Sequence, residues 1–182
     1  ITKEWYEDAW CYIAHLQFTD YTRFGTDCAN GEYDDGFETT SHAASRLDAI
    51  FAVNGCYSAP YLNYTVVRDG ELCNGSGKNL WCPAVYSSHN GLLQSAWETD
   101  GTAGIAGVNV DSLVESGLVT DTFCFGPPIL VNGTVAAGSD SSRAQRTFIG
   151  TNGNPGDIWI VVSEGRNADG ESTGLTYSQC AR

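Results

Sequence analysis

The sequence predicts an α+β fold, a single domain with a mixed, β-sheet-rich core and a few short helices. Turn signals recur about every ten residues between short apolar runs, a spacing typical of β-rich domains. No repeat, low-complexity stretch or proline-rich linker divides the 182 residues. A globular chain of this length buries roughly 70% of its unfolded surface, so we expect a conventional core.

Two strands and two hairpins stand out in the pattern. Residues 10–18 alternate apolar and polar side chains and predict the first strand. The segment Asp157–Ser163 is apolar on both faces, which predicts a central strand. The dipeptides Asp69-Gly70 and Asn132-Gly133 favour the positive-φ turns of hairpins, and each is flanked by apolar residues.

Short helices are predicted from their caps. Thr40 or Ser41 caps a helix that ends at Arg46, and Asp111 caps another over residues 112–116. The last segment, residues 175–182, also begins like a helix, with Ser172 or Thr173 ahead of it, and its two turns are too short to be stable alone.

The cysteines point to an oxidising compartment. None of the seven lies in a Cys-x-x-Cys pair, so disulfides are favoured over a zinc or redox site. Disulfides persist mainly outside the cytosol. The candidates are Cys11, Cys28, Cys56, Cys73, Cys82, Cys124 and Cys180, and this odd number leaves at least one unpaired within the chain.

Three Asn-x-Ser/Thr triplets agree with secretion and predict N-glycosylation at Asn63, Asn74 and Asn132. The sequence starts at Ile1 and contains no Met, which we interpret as a chain whose signal or pro-segment has been removed. No apolar run approaches the roughly 18 residues of a membrane span. We therefore expect a secreted, extracellular glycoprotein domain.

The net charge excludes several partners. At −13, the chain repels nucleic acid and anionic membranes, so neither is expected to bind. Solubility explains this charge better than calcium binding, since no EF-hand spacing occurs. The Gly-x-Ser-x-Gly, His-Glu-x-x-His and phosphate-loop motifs are also missing. We expect neither a metal nor a cofactor.

Polar residues at predicted strand ends form the candidate site. Residues 49–53 predict a buried strand that ends at Asn54-Gly55. Arg146 precedes another strand, and Glu164 and Arg166 follow the central one. Strand ends and the loops after them commonly carry binding and catalytic groups.

Several motifs, in order, are similar to those of the phosphodiester glycosidase family. Residues 125–133 resemble its Gly-Pro-x-Leu-Val-x-x-Gly segment, and residues 146–150 its Arg-Thr-Ala-Ile-Gly segment. Residues 158–166 resemble its strand ending in Asp-Gly-Arg, with Glu164 in place of Asp. Residues 174–181 resemble the helix that it opens with Gly-Leu-Thr.

The resemblance runs from about residue 39 to residue 182 and implies a division of the chain. Residues 1–38 form an N-terminal strand and an acidic loop, and residues 39–182 form the phosphodiester-glycosidase-like domain. The family's Asn-Leu-Asp-Gly-Gly-Gly-Ser motif does not occur in the sequence. We therefore expect the C-terminal part of the family fold to be absent, and a second chain or identical subunits to complete the sheet.

The resemblance implies hydrolysis of a sugar-1-phosphodiester, with a carbohydrate or sugar-phosphate as ligand. This reaction needs a carboxylate near an oxocarbenium-like transition state and a clamp on the phosphate. Glu164 would be the carboxylate, with Arg146 or Arg166 as the clamp. Asn54 and Gly55 would bind substrate. Ordinary roles compete: Arg146 pairs with Glu164 across neighbouring strands, and Asn54 satisfies a turn.

Two other functions stay open from sequence alone. The first is a catalytically incomplete subunit that self-assembles into an extracellular polymer or filament by donating residues 1–18 to a neighbour as a strand. The second is a carbohydrate-binding module without catalysis. It rests on five tryptophans, a residue type more often found in cores: Trp5, Trp10, Trp81, Trp97 and Trp159.

Overall fold

The computed structural model describes residues 1–55, 65–74, 84–95, 114–123, 128–136, 141–166 and 170–182. Short strands dominate these ranges, as the sequence predicts. The strands are β1 (Thr2–Tyr6), β2 (Ala9–Gln17), β3 (Val66–Arg68), β4 (Glu71–Asn74), β5 (Ala84–Ser87), β6 (Leu92–Ser95), β7 (Asp121–Phe123), β8 (Leu130–Val131), β9 (Thr134–Val135), β10 (Arg146–Thr151) and β11 (Asp157–Ser163). The α-helices include α1 (Thr40–Arg46) and α2 (Tyr177–Cys180). The predicted β-rich class with a few short helices is confirmed.

A four-stranded antiparallel sheet, here called the main sheet, has the order β1-β2-β11-β10. Its inner strands are β2 and β11, and Ile160 of β11 lies between Ala14 of β2 and Ile149 of β10. The inner position of β11 confirms the predicted central strand, and β2 confirms the predicted first strand. Strand β1 is not predicted from the sequence, because it is almost wholly exposed and lacks an apolar alternation.

The main core lies between one face of the main sheet and a three-stranded sheet of order β6-β5-β7. Ile158 and Ile160 lie two residues apart on β11, so they share a face, and both are buried. They pack with Tyr86 of β5 and Phe123 of β7 in one apolar cluster. Trp159 lies between them in sequence and projects from the opposite face, where it is exposed.

Both predicted hairpins are confirmed. Strands β3 and β4 turn at Asp69-Gly70, where φ is 47° and 78°. Strands β8 and β9 turn at Asn132-Gly133, where φ is 49° and 74°. Two consecutive residues with positive φ form the turn whose twist matches that of antiparallel strands, and Asp-Gly and Asn-Gly tolerate it best.

The predicted buried strand over residues 49–53 is wrong. This segment pairs with no strand among the described residues, and Ile50 is fully exposed. Only Phe51 and Val53 pack against the main core. A continuous apolar run is typical of a strand buried on both faces, whereas here only alternate side chains reach the core.

Threonine caps begin both helices. The cap of α1 is Thr39, one residue before the predicted Thr40 or Ser41. The cap of α2 is Thr176, not the predicted Ser172 or Thr173. It forms a capping box with Gln179, in which each side chain accepts a hydrogen bond from the other residue's backbone N–H.

The predicted helix over residues 112–116 lies only partly inside the described ranges, which resume at residue 114. Gly117 follows it with φ of 69°, and its N–H donates to the Val114 carbonyl at 2.9 Å. No helix in the described part of the chain is long and apolar enough to cross a membrane.

An ion network joins Arg46 of α1 to Asp27 and Glu38, two acidic residues that precede the helix. Arg46 donates through Nε and Nη2 to the two oxygens of Glu38, at 3.1 and 2.8 Å, and through Nη1 to Asp27 at 2.7 Å. The Glu38 side chain is almost fully covered and also accepts from the Asn30 N–H. The hydrogen bonds from Arg46, and then from Asn30, lower the pKa of Glu38 to about 2.

Replacing Ile158 with Ala should lower the free energy of unfolding by about 2–5 kcal/mol, because the change leaves a cavity in the main core. Ile50→Ala makes the same chemical change at an exposed position, so it should alter the free energy by less than about 0.5 kcal/mol. Urea-unfolding curves of the two variants measure this contrast. Equal losses would contradict the placement of Ile158 in the core.

Stability should fall as the pH drops from about 4.5 towards 2, because protonation of Glu38 weakens its bonds to Arg46. The pKa of Glu38 is lower in the folded chain than in the unfolded chain, so the unfolded chain binds the proton first in this window. Glu38→Gln should flatten this pH dependence. Glu32→Gln, an exposed change in the same loop, should retain it.

Thermal unfolding of the three chains across this pH range provides the measurement. If Glu38→Gln loses stability with decreasing pH as steeply as the unaltered chain does, the Glu38–Arg46 pair is not the source of the dependence.

Candidate functional site

The polar residues at strand ends meet at one end of the main sheet. Arg146, the first residue of β10, lies opposite Ser163, the last residue of β11, and Glu164 follows directly. Asn54 reaches the same end, where its Oδ1 accepts a 2.8 Å hydrogen bond from the Thr147 hydroxyl. The structure therefore brings Asn54, Arg146 and Glu164 into one region.

Strand β2 holds Glu164 in place. The Glu164 backbone N–H donates to the Trp10 carbonyl at 2.8 Å, which extends the sheet by one residue beyond β11. Its Oε1 accepts a 2.8 Å hydrogen bond from the Tyr12 hydroxyl. Among the described residues no further side chain donates to this carboxylate.

Arg146 lies on the opposite face of the sheet, because Glu164 comes one residue after the partner of Arg146 and successive side chains alternate. Its Nε donates to the Leu175 carbonyl at 3.2 Å and its Nη2 to the Ser142 carbonyl at 3.0 Å. The guanidinium carbon lies 4.1 Å from the centroid of the Tyr177 ring. Arg146 thus ties β10 to the segment before α2, and no ion pair joins it to Glu164 in the described part of the chain.

Arg166 stands in a different setting. It is exposed, and its Nη2 donates to the Arg143 carbonyl at 3.3 Å. Arg143 itself donates through Nη1 to the carbonyls of Glu7 and Gly174, at 2.9 and 3.0 Å. Arg143 is a residue that the sequence analysis missed, since its position three residues before Arg146 falls outside any predicted strand. Arg143 also donates to the Thr173 hydroxyl and lies 3.8 Å from the Asp8 carboxylate, so it is more extensively bonded than the exposed Arg166.

Asn54 owes its position to the two residues that anchor its segment. Phe51 and Val53 pack against the main core, and Asn54 follows them at the surface. Its Oδ1 is occupied by the Thr147 hydroxyl, which leaves the amide N–H groups to donate. Among the described residues, a Cβ added to Gly55 would meet the edge of the Phe123 ring at 3.9 Å, an ordinary van der Waals contact.

Two side chains that the sequence analysis did not assign shape this region. Tyr12 orients the Glu164 carboxylate, and Thr147 orients the Asn54 amide. Both lie on the face of the main sheet that carries the main core. In the sequence, the alternation within β2 and β10 indicates only that these side chains face one side of a strand. The pairing of the two strands with β11 is needed to know that this side carries the candidate site.

Cys11 and Cys180 lie in a small apolar cluster with Ala9 and Leu175, on the other face of the main sheet. Both are free thiols in this structure. Burial raises the pKa of Cys180 to about 11, an effect that Arg146 opposes and the nearby Cys11 reinforces. Burial also raises the pKa of Cys11. The two side chains are therefore neighbouring, protonated thiols at neutral pH.

Cys28 and Cys73 are free thiols as well. The pKa of Cys28 is raised mainly by burial, which Arg68 opposes and the nearby Cys73 reinforces. The remaining disulfide candidates, Cys56, Cys82 and Cys124, lie outside the described residues.

The predicted glycosylation sites fall in different settings. Asn132 lies in the exposed turn between β8 and β9, and Asn74 ends β4. Asn63 lies outside the described residues. Within the described ranges, no three His, Cys, Asp or Glu side chains converge in a way that would hold a metal ion.

The chain matches one protein-family model over most of its length. A family model described as phosphodiester glycosidase matches residues 48–182, well over half of the chain. The matched range includes Asn54, Arg146, Glu164 and Arg166, and it leaves out β1 and β2. Neither curated proteins nor solved structures give a significant match. The extent of the family match confirms the resemblance drawn from the motifs, and the chain belongs to the phosphodiester glycosidase family.

Proposed function

We propose that this protein is an extracellular hydrolase that cleaves sugar-1-phosphodiesters. The observation that carries the proposal is the setting of Glu164. Glu164 lies at the end of the main sheet, within the range that matches the family. Its carboxylate is oriented by the Tyr12 hydroxyl. A carboxylate held in this way suits a reaction that develops positive charge on a sugar ring.

The reaction can be written with balanced bonds. The bond between the anomeric carbon and the phosphate oxygen breaks, and the electron pair leaves with the phosphate monoester. Water supplies a hydroxyl to the anomeric carbon and its other proton to the phosphate monoester. Glu164 stabilises the oxocarbenium-like transition state. A guanidinium neutralises the leaving phosphate with two parallel hydrogen bonds. The Asn54 amide donates to a sugar hydroxyl.

Arg166 fits the role of phosphate clamp better than Arg146. The Arg166 guanidinium is exposed and spends one donor on the Arg143 carbonyl. Arg146 spends two donors on backbone carbonyls and lies against the Tyr177 ring, on the face away from Glu164. Arg146 then has a supporting role, because it secures the segment that leads into α2.

The proposal leaves the pocket to be completed by a further segment or by a second chain. Glu164, Arg166 and Asn54 border a sheet end, and these groups alone make an open site. Small-molecule sites usually enclose most of their ligand. The glycine-rich motif that the family resemblance implies would supply part of that enclosure.

The alternative of a self-assembling subunit has less support. It depends on donation of residues 1–18 to a neighbour, and these residues form β1 and β2 of the chain's own sheet. Because β2 is an inner strand paired along all of β11, its donation would remove the centre of the main sheet.

Glu164→Gln should abolish most of the hydrolysis of a hexose 1-phosphate methyl diester, with a loss of about 100-fold or more in kcat, because the amide cannot stabilise the developing charge. Glu71→Gln, at an exposed position on β4, is the matched control and should retain full activity. Sugar release is followed chromatographically with the full chain. An unchanged rate for Glu164→Gln would remove the carboxylate from the proposed mechanism.

The extracellular placement predicts a disulfide between Cys11 and Cys180 in the secreted protein. Both side chains pack in one apolar cluster, and exchange with oxidised glutathione would accept the two electrons and two protons that bond formation releases. Peptide mapping without reductant should recover the two cysteines in one cross-linked peptide. Alkylation of both residues as free thiols would contradict the prediction.

A further inference from the structure

An exposed group of aromatic side chains lies on the first hairpin of the chain. Trp5 of β1 and Trp10 of β2 face each other directly, with ring centroids 5.1 Å apart and an interplanar angle of 73°. Tyr12 lies two residues further along β2 and is paired with Lys3. We call Lys3, Trp5, Trp10 and Tyr12 the aromatic surface. Residues that pair across strands share a face, so all four project on the same side.

The aromatic surface is held together internally. The Lys3 ammonium lies 4.4 Å from the centroid of the Trp10 ring and 5.1 Å from that of Tyr12. A cation at these distances is attracted to the ring faces. The edge-on contact of Trp5 with Trp10 adds a favourable aromatic pair. The rings are therefore ordered in advance, while 46% of Trp5 remains exposed to solvent.

The aromatic surface is continuous with the candidate catalytic group. The Trp10 carbonyl accepts the Glu164 N–H, and the Tyr12 hydroxyl donates to Glu164 Oε1, both at 2.8 Å. Residues two apart on a strand are separated by about 7 Å. A ligand that contacts Glu164 therefore has Trp10 and Trp5 within reach of its next unit.

A shallow, open depression of about 370 Å³ lies against the Trp5–Trp10 pair of this surface, lined by Trp5, Trp10 and Glu171. Its walls combine two indole rings with one carboxylate. The depression is open to solvent, unlike the enclosed pockets that hold most small molecules, so it suits a ligand unit that lies along the surface. Exposed aromatic rings grouped in this way often mark a binding surface.

We propose that the aromatic surface is a sugar-binding subsite, which holds a further saccharide unit of the substrate next to the unit that is cleaved. The inference rests on the proposed function, since continuity with Glu164 selects a sugar as the occupant. An indole ring offers an apolar face to the C–H face of a pyranose, and the Glu171 carboxylate accepts hydrogen bonds from its hydroxyl groups. The substrate is then a phosphodiester carried on an oligosaccharide, and the hairpin that selects it lies outside the residues matched by the family.

The chain contains a matched control for Trp5. Trp159 is also a tryptophan on the main sheet and is 41% exposed, against 46% for Trp5. It projects from the opposite face, where its ring stacks on His15 at 3.9 Å. Trp5→Ala and Trp159→Ala thus remove indole rings of similar exposure. They differ in the face of the main sheet that loses the ring.

Binding is measured without catalysis, by titrating the full chain with tetrasaccharides of the cello, malto and chito series. Trp5→Ala should raise the Kd of the bound tetrasaccharide by about tenfold or more, as loss of a central aromatic contact does, and Trp159→Ala should leave it unchanged. Equal effects of the two variants, no effect of Trp5→Ala, or no binding to the unaltered chain would each overturn the subsite.

The unaltered chain gives a readout that does not depend on the folding of a variant. In nitrogen-15 spectra, the indole N–H signals of Trp5 and Trp10 should shift on addition of the tetrasaccharide, and that of Trp159 should not. A shift confined to Trp159 would overturn the proposal.

Kinetics separate this inference from the proposed hydrolysis. Trp5→Ala should lower kcat/KM about tenfold for a sugar-1-phosphodiester that carries an oligosaccharide, and leave the methyl diester unaffected. If tetrasaccharide binding depends on Trp5 while neither diester is cleaved, the hydrolase fails and the subsite stands. If both diesters are cleaved and Trp5→Ala affects them equally, the subsite fails and the hydrolase stands.

Discussion

The antiparallel pairing of β2 with β11 is the interaction on which the rest of the structure depends. It runs from Asp157 opposite Gln17 to Ser163 opposite Cys11, the whole length of β11. This pairing directs Ile158 and Ile160 into the main core on one face of the sheet. It continues one residue beyond β11, where the Glu164 N–H donates to the Trp10 carbonyl. Core and candidate site are therefore two consequences of one set of backbone hydrogen bonds.

The register of this ladder decides which side chains can act together. A strand presents successive residues to opposite faces, so a slip of one residue would exchange every neighbour in the site. In the observed register Glu164 shares a face with Tyr12, and Arg146 shares the other face with Cys11. This separation assigns the two charged groups to different tasks. Glu164 accepts a hydrogen bond from the Tyr12 hydroxyl on one face, and Arg146 donates on the other to the backbone of the segment before α2.

The main sheet combines strands from inside and outside the range that matches the family. The match begins at residue 48, yet an inner strand of the main sheet comes from residues before it. The candidate carboxylate is thus oriented by Tyr12, a residue outside the matched range. A hairpin of this kind can vary in sequence while the matched core retains its shape, because binding groups on a supporting scaffold tolerate change more readily than buried contacts do. The N-terminal hairpin of β1 and β2 is thus the part of the candidate site that lies outside the matched range.

The sequence by itself determined the features that depend on neighbouring residues. The turns at Asp69-Gly70 and Asn132-Gly133 follow from the positive φ that these residues tolerate, and the strand Asp157–Ser163 follows from an apolar run of strand length. The motifs that revealed the family are local in the same sense. They also located the candidate site residues along the chain, at the ends of strands.

Only the tertiary structure decided which of those residues meet. The exposure of Ile50, the bond from Thr147 to Asn54 and the opposite faces of Arg146 and Glu164 depend on pairings between segments far apart in sequence. Local patterns carry no information on register or on which face a partner strand presents. The physical reason is that burial and hydrogen bonding of a side chain are set by its spatial neighbours, and in a β-rich chain most of these lie far away in sequence.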